Sequence, residues 1–485
     1  MQPEAILNIT APIRHTARLT PDAVAIVRAD DSIITYGMLD RAIDRMAGHA
    51  ANLGLRAGDV AGVAIQNETT PLILALGLAR MGALSAEPSL PAEQMKLCFQ
   101  FGQRANPGQV RFDDSWIEPA AGSKAASPRT IHGDPLALCR IFSSSGTTGT
   151  AKHIPVSHEL MMRRVYSRWL CQGGGPLTRM IAVGLGIGWG FTTVLVTLWQ
   201  GGTLVQFNRP EAVEAMRRHR VNVLVTSPST LKTLAEMRPP GQGPLPDLMA
   251  IEAGGSNLPD LVRRAAADRL CRNVIVHAGA CEAGGTASGP ADALDGRPDA
   301  AGFVWPDVEM QAVSADHVPL PPGTEGILRV RSAMVAPGYY RDDVATAESF
   351  RDGWFYPGDI GTVWPDGVLC LNGRNADLIN VGGDKISPQR IETGLLAIPG
   401  VSDAAAFGVP DGVGLTRVWA AITSGAPIED AVLDAFCGTL PSHMAPQIVL
   451  QLEDLPRNEN GKIRREALVD LALQLSQPAR QAEPA

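Results

Sequence analysis

Residues 143–152 read Ser-Ser-Ser-Gly-Thr-Thr-Gly-Thr-Ala-Lys, and this stretch says more about the chemistry of the chain than any other. Glycine lets the backbone turn tightly and approach a ligand, and successive N–H groups in such a turn form a concavity that suits an anion. The hydroxyl groups add hydrogen-bond donors, and Lys152 adds a positive charge. The stretch is not a P-loop, because no glycine–lysine–hydroxyl triplet closes it. It predicts a loop that holds a polyphosphate.

The alternative interpretation of this stretch is a flexible Ser/Gly linker. Strand-like apolar runs flank it, however, at residues 136–142 and 154–156. Linkers of this composition are usually longer and lack such flanks. The flanks therefore favour a binding loop inside a folded region.

The loop resembles the phosphate loop of the adenylate-forming superfamily, which includes acyl-CoA synthetases, peptide-synthetase adenylation domains and luciferases. The family pattern is a Ser/Thr-rich GTTG followed by lysine. Ala151 stands where proline is usual, and His153 stands where glycine is usual. The resemblance implies a catalytic role for Thr147 and a set of ATP contacts in this loop: Ser144, Ser145, Gly146, Thr147, Thr148, Gly149 and Lys152.

Composition places the chain among ordinary globular proteins. It has 485 residues, of which 45% are apolar and 19% charged, and its net charge is −8. This charge gives a nucleic-acid partner no electrostatic support. The most apolar run, 180–199, is interrupted by glycines, so we expect no membrane span, and the first residues do not resemble a secretory signal. Seven scattered cysteines without a CxxC pair predict reduced thiols and a cytoplasmic location.

The order of helix and strand patterns predicts an α/β fold. Short β-branched runs such as 203–205 and 223–226 alternate with helical windows such as 71–81 and 210–219. This alternation is typical of largely parallel sheets. From about residue 300, short strands and Gly/Pro turns predict a small β-rich subdomain. Residues 375–470 show mixed signals that predict a separate compact α+β unit.

An aspartate in a Pro-Gly turn is the second candidate for nucleotide binding. Residues 352–361 read Asp-Gly-Trp-Phe-Tyr-Pro-Gly-Asp-Ile-Gly, which places Asp359 on a tight turn. The alternative is that Asp359 only caps this turn, as aspartate commonly does. The stretch resembles the aspartate–glycine turn of the superfamily, and this implies that Asp359 holds the ribose hydroxyl groups of ATP.

The stretch at 372–392 resembles the domain junction of the superfamily, spelled there as GRxxDxIxxxGxKIxPxxIE. The match implies that Arg374 contacts the ribose and phosphates and that a lid begins after it. Ala376 replaces the usual charged pivot residue, and a small residue still serves as a hinge. The alternative for Arg374 is a surface salt bridge. Pro388 suits the first turn of the helix that follows.

A lysine near the end is the candidate for the main catalytic group. Residues 456–468 resemble the C-terminal catalytic loop of the superfamily, in which Lys462 follows a glycine. A carboxylate must attack an anionic phosphate, and a lysine that contacts both reduces their repulsion. Without the other motifs, a solvated lysine would be the default interpretation.

The weakest match is at 276–284, Val-His-Ala-Gly-Ala-Cys-Glu-Ala-Gly. Gly279 and Glu282 retain the family pattern, which implies ATP contact by Gly279 and a catalytic, Mg²⁺-ligating role for Glu282. Ala278 replaces the aromatic residue that packs on adenine, and Cys281 replaces the threonine that contacts the α-phosphate. Both changes predict a weaker grip on the nucleotide.

The glycine run at 184–190 lacks the GxGxxG register of a dinucleotide loop, so we interpret it as a close-packed backbone region. By resemblance it borders the acyl pocket, which we predict from five residues: Gly188, Trp189, Phe191, Gly254 and Ala278. Residues 189–193 contain no aspartate to bind an α-amine. An acid without an α-amine is therefore expected, with room for an apolar or aromatic acyl group.

The sequence is thus identified as a member of the adenylate-forming superfamily, with a large N-terminal α/β core (1–374), a small C-terminal lid (375–472) and a disordered tail (473–485). The expected reaction activates a fatty or aryl acid with ATP and Mg²⁺ as an acyl-adenylate and then forms a thioester with CoA. No carrier-protein domain follows Lys462, which favours CoA as the acceptor. Two alternatives stay open: an adenylase that loads a separate carrier protein, and a degenerate member that binds ligands without turnover.

Overall fold

The computed structural model describes residues 7–102, 108–118, 131–144, 151–172, 175–294, 296–297, 299–374, 377–381, 384–410, 416–457 and 463–476. Twelve α-helices lie in these residues: α1 Ala11–Leu19, α2 Tyr36–Asn52, α3 Thr69–Arg80, α4 His158–Gln172, α5 Gly188–Trp199, α6 Ala212–Arg218, α7 Pro228–Glu236, α8 Asp260–Arg269, α9 Asp343–Ser349, α10 Pro388–Leu396, α11 Asp430–Thr439 and α12 Arg465–Ser476.

The same residues contain 26 strands. They are β1 Val24–Val27, β2 Ile33–Thr35, β3 Val60–Val63, β4 Leu84–Ala86, β5 Leu97–Phe101, β6 Val110–Phe112, β7 Leu138–Ser144, β8 Lys152–Ser157, β9 Thr178–Ala182, β10 Thr203–Val205, β11 Val223–Thr226, β12 Ala250–Gly254, β13 Val274–Ala280, β14 Gly284–Pro290, β15 Ala300–Val304, β16 Glu309–Val313, β17 Glu325–Arg331, β18 Phe350–Arg351, β19 Trp354–Phe355, β20 Asp359–Val363, β21 Val368–Arg374, β22 Ile379–Val381, β23 Asp384–Ile386, β24 Val401–Pro410, β25 Thr416–Ser424 and β26 Val449–Gln451.

The largest sheet has 15 strands and changes character along its length. At one end, β1, β10, β9, β11, β12 and β13 are parallel neighbours, in that order. Beyond β13 every pairing is antiparallel, through β14, β15, β21, β20 and β17. The β-rich region expected after residue 300 is thus present, and its strands continue the main sheet.

A second sheet has six strands in the order β6-β5-β3-β4-β7-β8, all parallel except the last pair. Helix α3 carries buried residues on every side because it is apolar all round. Helix α5 is similarly apolar, and nine of its twelve residues are buried. These two helices contribute much of the main apolar core, which joins both sheets.

The predicted α/β class is confirmed in detail by several elements. The runs at 203–205 and 223–226 are β10 and β11, and all four residues of β11 are buried, as parallel strands require. The window at 210–219 contains α6, and the window at 71–81 overlaps α3, which begins two residues earlier at Thr69. Pro388 begins α10, as predicted from its fixed φ.

Residues after 377 form sheets and cores of their own. Strands β22 and β23 pair with each other, and β24, β25 and β26 form a three-stranded sheet. Two apolar clusters involve only residues between 379 and 472. The predicted tail from 473 starts inside α12, which continues to Ser476 because Leu468 and Ala472 anchor it. Residues 477–485 lie outside the described part.

The glycine run at 184–190 is close-packed, as predicted. A Cβ atom on Gly190 would lie 2.1 Å from the Gly184 carbonyl oxygen, and one on Gly186 would lie 2.4 Å from that of Ile65. Helix α5 nevertheless begins inside the run, at Gly188. All seven cysteines are free thiols. No helix in the described residues combines the length and apolar content needed to cross a bilayer.

Candidate active site

The two strands that flank the predicted phosphate loop are paired in register. Ser144 at the end of β7 stands opposite Lys152 at the start of β8. One pair further in, the Ser143 hydroxyl lies 3.0 Å from Nδ1 of His153. The five loop residues between them that were predicted to contact ATP lie outside the described residues: Ser145, Gly146, Thr147, Thr148 and Gly149. The described flanks therefore place Ser144 and Lys152 side by side at the mouth of this loop.

Lys152 and Glu282 are brought together by a tyrosine that the sequence reasoning did not assign. The Lys152 ammonium lies 4.8 Å from the centroid of the Tyr339 ring and also donates to the Ser349 hydroxyl at 3.4 Å. The Tyr339 hydroxyl donates to Oε1 of Glu282 at 3.1 Å. The Tyr339 ring thus lies between the Lys152 ammonium and the carboxylate of Glu282, the predicted metal ligand.

Backbone contacts fix Glu282 in the tight turn between β13 and β14. Its carbonyl oxygen accepts from the Ala336 N–H at 2.7 Å and from the Arg164 guanidinium at 2.8 Å. Burial, together with the charge of Glu282, raises the pKa of Tyr339 above its ordinary value. The phenol therefore stays protonated and remains a donor to the carboxylate.

The donor set around Glu282 fits a magnesium ion. Mg²⁺ in nucleotide sites commonly takes one or two carboxylate oxygens together with substrate phosphates. Glu282 is a buried carboxylate, 8% exposed, close to the strand that leads out of the phosphate loop. The partner of the Glu282 carboxylate is a neutral hydroxyl, which does not compensate its negative charge, so this carboxylate suits a cation.

Asp359 and Arg374 are directly opposite each other in the sheet. Asp359 begins β20 after a turn at Gly358, whose φ is 81°, and it pairs with Arg374 at the end of β21. Nε of Arg374 lies 3.2 Å from Oδ1 of Asp359. Both side chains remain partly exposed, at 22% for Asp359 and 38% for Arg374. Two predicted nucleotide ligands therefore share one edge of the sheet.

A bulge in β21 produces this pairing. Gly361 pairs with Leu371, whereas the preceding residue, Ile360, pairs with Gly373. Asn372 is thus an extra residue on β21, and Gly373 follows it with a φ of 138°, which favours glycine. The bulge brings Arg374, rather than Gly373, opposite Asp359.

The start of α5 meets the turn that carries Cys281. A Cβ atom on Gly188 would lie 3.1 Å from the Cys281 sulfur. Burial and, to a lesser extent, the nearby charge of Glu282 raise the pKa of the Cys281 thiol to about 12. The thiol is therefore protonated at neutral pH, which argues against a nucleophilic cysteine here.

Trp189 and Gly254 form the centre of the predicted acyl pocket. A Cβ atom on Gly254 would lie 3.2 Å from the Trp189 indole and 2.7 Å from the His277 carbonyl oxygen. The indole centroid is 5.9 Å from the His277 ring. The absent side chain at Gly254 therefore makes room for the indole, rather than leaving volume for an acyl group as the sequence analysis expected.

Phe191 and Ala278 lie apart from this group. Phe191 is buried against Phe142, two positions and about 200° around the helix from Trp189. Ala278 packs with Ala287 in a cluster on the other face of β13 from His277, because neighbouring residues on a strand alternate. Of the five predicted pocket residues, the structure groups Gly188 with Cys281 and Trp189 with Gly254. Gly279 lies on β13 close to its end, opposite Gly285.

A buried ionic group beside Trp189 was missed by the sequence reasoning. Arg168 on α4 donates to Glu252 on β12, and both side chains are 5% exposed or less. The Arg168 guanidinium lies 5.9 Å from the Trp189 ring, and Oε2 of Glu252 lies 3.7 Å from Nε2 of His277. The signal was a carboxylate inside an otherwise apolar strand, Ala-Ile-Glu-Ala-Gly.

Similarity to known proteins shows which family the chain belongs to. The family model described as "AMP-binding enzyme" matches residues 13–103 and 100–340, and the model of its C-terminal domain matches 390–462. The chain belongs to this family, the adenylate-forming superfamily. Lys462, the predicted catalytic lysine, ends the second match but lies outside the described residues.

Two relatives and one solved structure match over nearly the whole chain. Triostin synthetase I of Streptomyces triostinicus is 29% identical, over 95% of this chain and 94% of its own length. The 3-hydroxybenzoate–CoA/4-hydroxybenzoate–CoA ligase of Thauera aromatica is 26% identical, over 97% and 98%. The o-succinylbenzoate CoA synthetase MenE of Bacillus subtilis, in complex with its acyl-adenylate, has a TM-score of 0.82 at 22% identity, covering 98% and 99%, which shows the shared fold.

Proposed function

We propose that this protein activates a carboxylic acid without an α-amine as an acyl-adenylate, with ATP and Mg²⁺, and then transfers the acyl group to the thiol of CoA. The observation that carries the proposal is the contact series from Lys152 through Tyr339 to Glu282. These contacts join a cation at the start of β8 to a buried carboxylate, which supports a magnesium–polyphosphate ligand beside them.

In the first half-reaction an oxygen of the acid attacks the α-phosphorus of ATP, and the bond from that phosphorus to the bridging oxygen breaks. Pyrophosphate leaves with the bond electrons. Asp359 accepts hydrogen bonds from the ribose hydroxyls, and Arg374 beside it donates to ribose and phosphate oxygens. The Lys152 ammonium neutralises charge on the departing phosphates, and the hydroxyl of the loop residue Thr147 donates to them and orients them. A Mg²⁺ ion on Glu282 supplies further neutralisation of phosphate charge when bound.

Lys462 contributes the remaining positive charge. It contacts both the attacking carboxylate and the α-phosphate and so offsets their repulsion in the transition state. In the second half-reaction the thiol sulfur attacks the acyl carbonyl carbon, AMP departs, and the thiol proton passes to solvent. A lid after Arg374 that rotates between the two steps is part of the proposal.

The choice of acid rests on what lines the start of α5. The predicted pocket segment 189–193 has no carboxylate to pair with an α-ammonium group. The 3-hydroxybenzoate–CoA/4-hydroxybenzoate–CoA ligase among the relatives supports an aryl acid and CoA as acceptor. A pantetheinylated carrier protein is the alternative acceptor.

The test is pyrophosphate release over a panel of aryl, short and fatty acids, followed by thioester formation with CoA or a pantetheinylated carrier. Lys462→Ala should lose on the order of 10²–10³ in the rate of pyrophosphate release, yet still convert a pre-made acyl-adenylate to the thioester. Lys96→Ala is the matched control, since Lys96 is an exposed lysine that pairs with Asp59.

Each outcome of this test has a defined meaning. Near wild-type pyrophosphate release by Lys462→Ala would remove that lysine from the mechanism. Faster transfer to the carrier than to CoA would change the acceptor. Absence of pyrophosphate with every acid, while ATP still binds, would leave the non-catalytic alternative in place of the proposal.

A further inference from the structure

Trp189 projects from the first turn of α5 against the ends of two parallel strands. Its indole occupies the position that a side chain on Gly254 would take, beside the His277 ring. In open α/β sheets ligands bind at the carboxyl ends of the strands, and Gly254 is the last residue of β12. The indole therefore forms a wall of the space in which an acid would lie.

Strand register shows what lies beneath this wall. Gly254 pairs with His277, and Glu252 pairs with Ile275. Residues two apart on a strand share a face, so Glu252 lies under Gly254, about 7 Å further from the strand end. Its partner there is Arg168. A ligand beside the Trp189 indole thus has a buried ion pair beneath it, and an apolar tail reaching that level would displace the polar surroundings that ion pairs need.

Three buried polar atoms in this group have no hydrogen-bond partner within the described residues. They are Nε1 of Trp189, Nε2 of His277 and Nε of Arg168. The His277 side chain is 7% exposed, and Oε2 of Glu252, 3.7 Å away, is too distant for a hydrogen bond. An indole nitrogen only donates, so what it lacks is an acceptor.

The imidazole of His277 is neutral at physiological pH. Burial lowers its pKa to about 4; the charge of Glu252 opposes this effect and that of Arg168 adds to it. A neutral ring offers one donor and one acceptor. The wall formed by Trp189 and His277 therefore suits an uncharged acceptor group better than a second anion or a hydrocarbon.

We infer that the acid is compact and carries a hydrogen-bond acceptor, such as a ring nitrogen or an oxygen substituent, at the end away from its reacting carboxyl, and that this acceptor pairs with the Trp189 indole N–H. Trp189 is then a specificity-determining residue, and His277 lines the same contact. The inference rests on the proposed function, because it takes the space beside the Trp189 indole as the acyl site.

The experiment compares acids that differ by one atom. Benzoate and isonicotinate have the same shape, but isonicotinate replaces the distal C–H with a nitrogen acceptor; nicotinate, 4-hydroxybenzoate and decanoate complete the panel. We expect the best acceptor-bearing acid to exceed benzoate at least tenfold in kcat/KM for pyrophosphate release, with decanoate the poorest. Trp189→Phe should reduce the preference over benzoate to less than threefold.

Trp199→Phe is the matched control, because the Trp199 N–H already donates to the Ile9 carbonyl at 3.0 Å. It should keep the preference of the wild type. In the free protein it should also lower the melting temperature more than Trp189→Phe does, since only Trp199→Phe breaks a hydrogen bond that is present. If Trp189→Phe fails to fold, His277→Leu takes its place and should reduce the same preference.

Binding of the same acids, measured by calorimetry, separates this inference from the proposed function. Tighter binding of an acceptor-bearing acid than of benzoate, lost in Trp189→Phe, supports the inference even if no pyrophosphate forms. Equal kcat/KM and equal affinity for benzoate and every acceptor-bearing acid, a preference for decanoate, or a preference that Trp189→Phe retains would each overturn it, whether or not pyrophosphate is released.

Discussion

Replacing Tyr339 with phenylalanine tests the contact that connects the phosphate loop to Glu282. The change removes one oxygen atom and keeps the ring that lies 4.8 Å from the Lys152 ammonium. What is lost is the 3.1 Å hydrogen bond to the Glu282 carboxylate. The variant therefore isolates the orientation of Glu282 from the packing of the ring.

The expected magnitude follows from the charge of the acceptor. A hydrogen bond to a charged group contributes about 1.5–3 kcal/mol, and each 1.4 kcal/mol corresponds to a factor of ten. We therefore expect kcat/KM for ATP to fall about 10- to 150-fold, and the Mg²⁺ concentration at half-maximal rate to rise. Tyr339→Leu also removes the cation–π contact, for a further loss of roughly two- to fivefold.

The assay is pyrophosphate release at varied ATP and varied Mg²⁺, with melting temperatures measured alongside. Tyr340→Phe is the control, because it removes a neighbouring phenol whose ring contacts Arg341 instead. Unchanged Mg²⁺ dependence in Tyr339→Phe, at a normal melting temperature, would refute the idea that Tyr339 orients a metal ligand.

Three other predictions follow from contacts described above. Asp359→Ala should weaken ATP binding about 10- to 100-fold in calorimetry without affecting binding of the acid. Asp366→Ala is the control, because Asp366 lies in the turn of the same hairpin and pairs with Arg297, and it should leave ATP binding unchanged. Equal ATP affinities for the two variants would contradict the ribose assignment. Gly190→Ala should lower the free energy of unfolding by about 1–3 kcal/mol, although alanine usually favours a helix, because the new Cβ would lie 2.1 Å from the Gly184 carbonyl oxygen. Gly184→Ala is the control: its Cβ would have its nearest contact at 3.6 Å, and the change should stay within about 0.5 kcal/mol. Similar urea midpoints for the two variants would be evidence against this packing. Burial lowers the pKa of His158 to about 4, while its Nδ1 accepts from the Ile9 N–H. The unfolded state therefore binds more protons between pH 6.5 and 4, and the free energy of unfolding should decrease as the pH is lowered through that window, by up to about 1.4 kcal/mol per pH unit. His158→Gln should flatten this slope, and an unchanged slope in the variant would count against the prediction.

The fold was predictable where periodicity and local chemistry agree. Strands β10 and β11 were predicted at their observed bounds because β-branched runs in parallel sheets have no competing helical pattern. Helix α5 was harder, since its first turn contains two glycines with low helix propensity. Its burial on nearly all sides outweighs that propensity, and the local sequence does not show which distant elements will bury a helix.

The candidate site was predictable as a set of motifs but not as a geometry. The motifs predict Lys152 and Glu282 but give no role to Tyr339, which lies between them and is distant from both in sequence. The motifs also group Phe191 and Ala278 with Trp189. Helical and strand periodicity direct those two side chains to other faces, and only the packed structure shows which face borders the pocket.

Because of the bulge at Asn372, the contact between Asp359 and Arg374 depends on the backbone register of their hairpin as well as on the two side chains. If Asn372 paired with Ile360 in a regular ladder, Gly373 would stand opposite Asp359 and Arg374 would move past the end of the pair. Related chains can thus retain both side chains and lose their encounter where this hairpin lacks the bulge. A comparison of such chains has to align the hairpin by its backbone pairing before it compares the residues themselves.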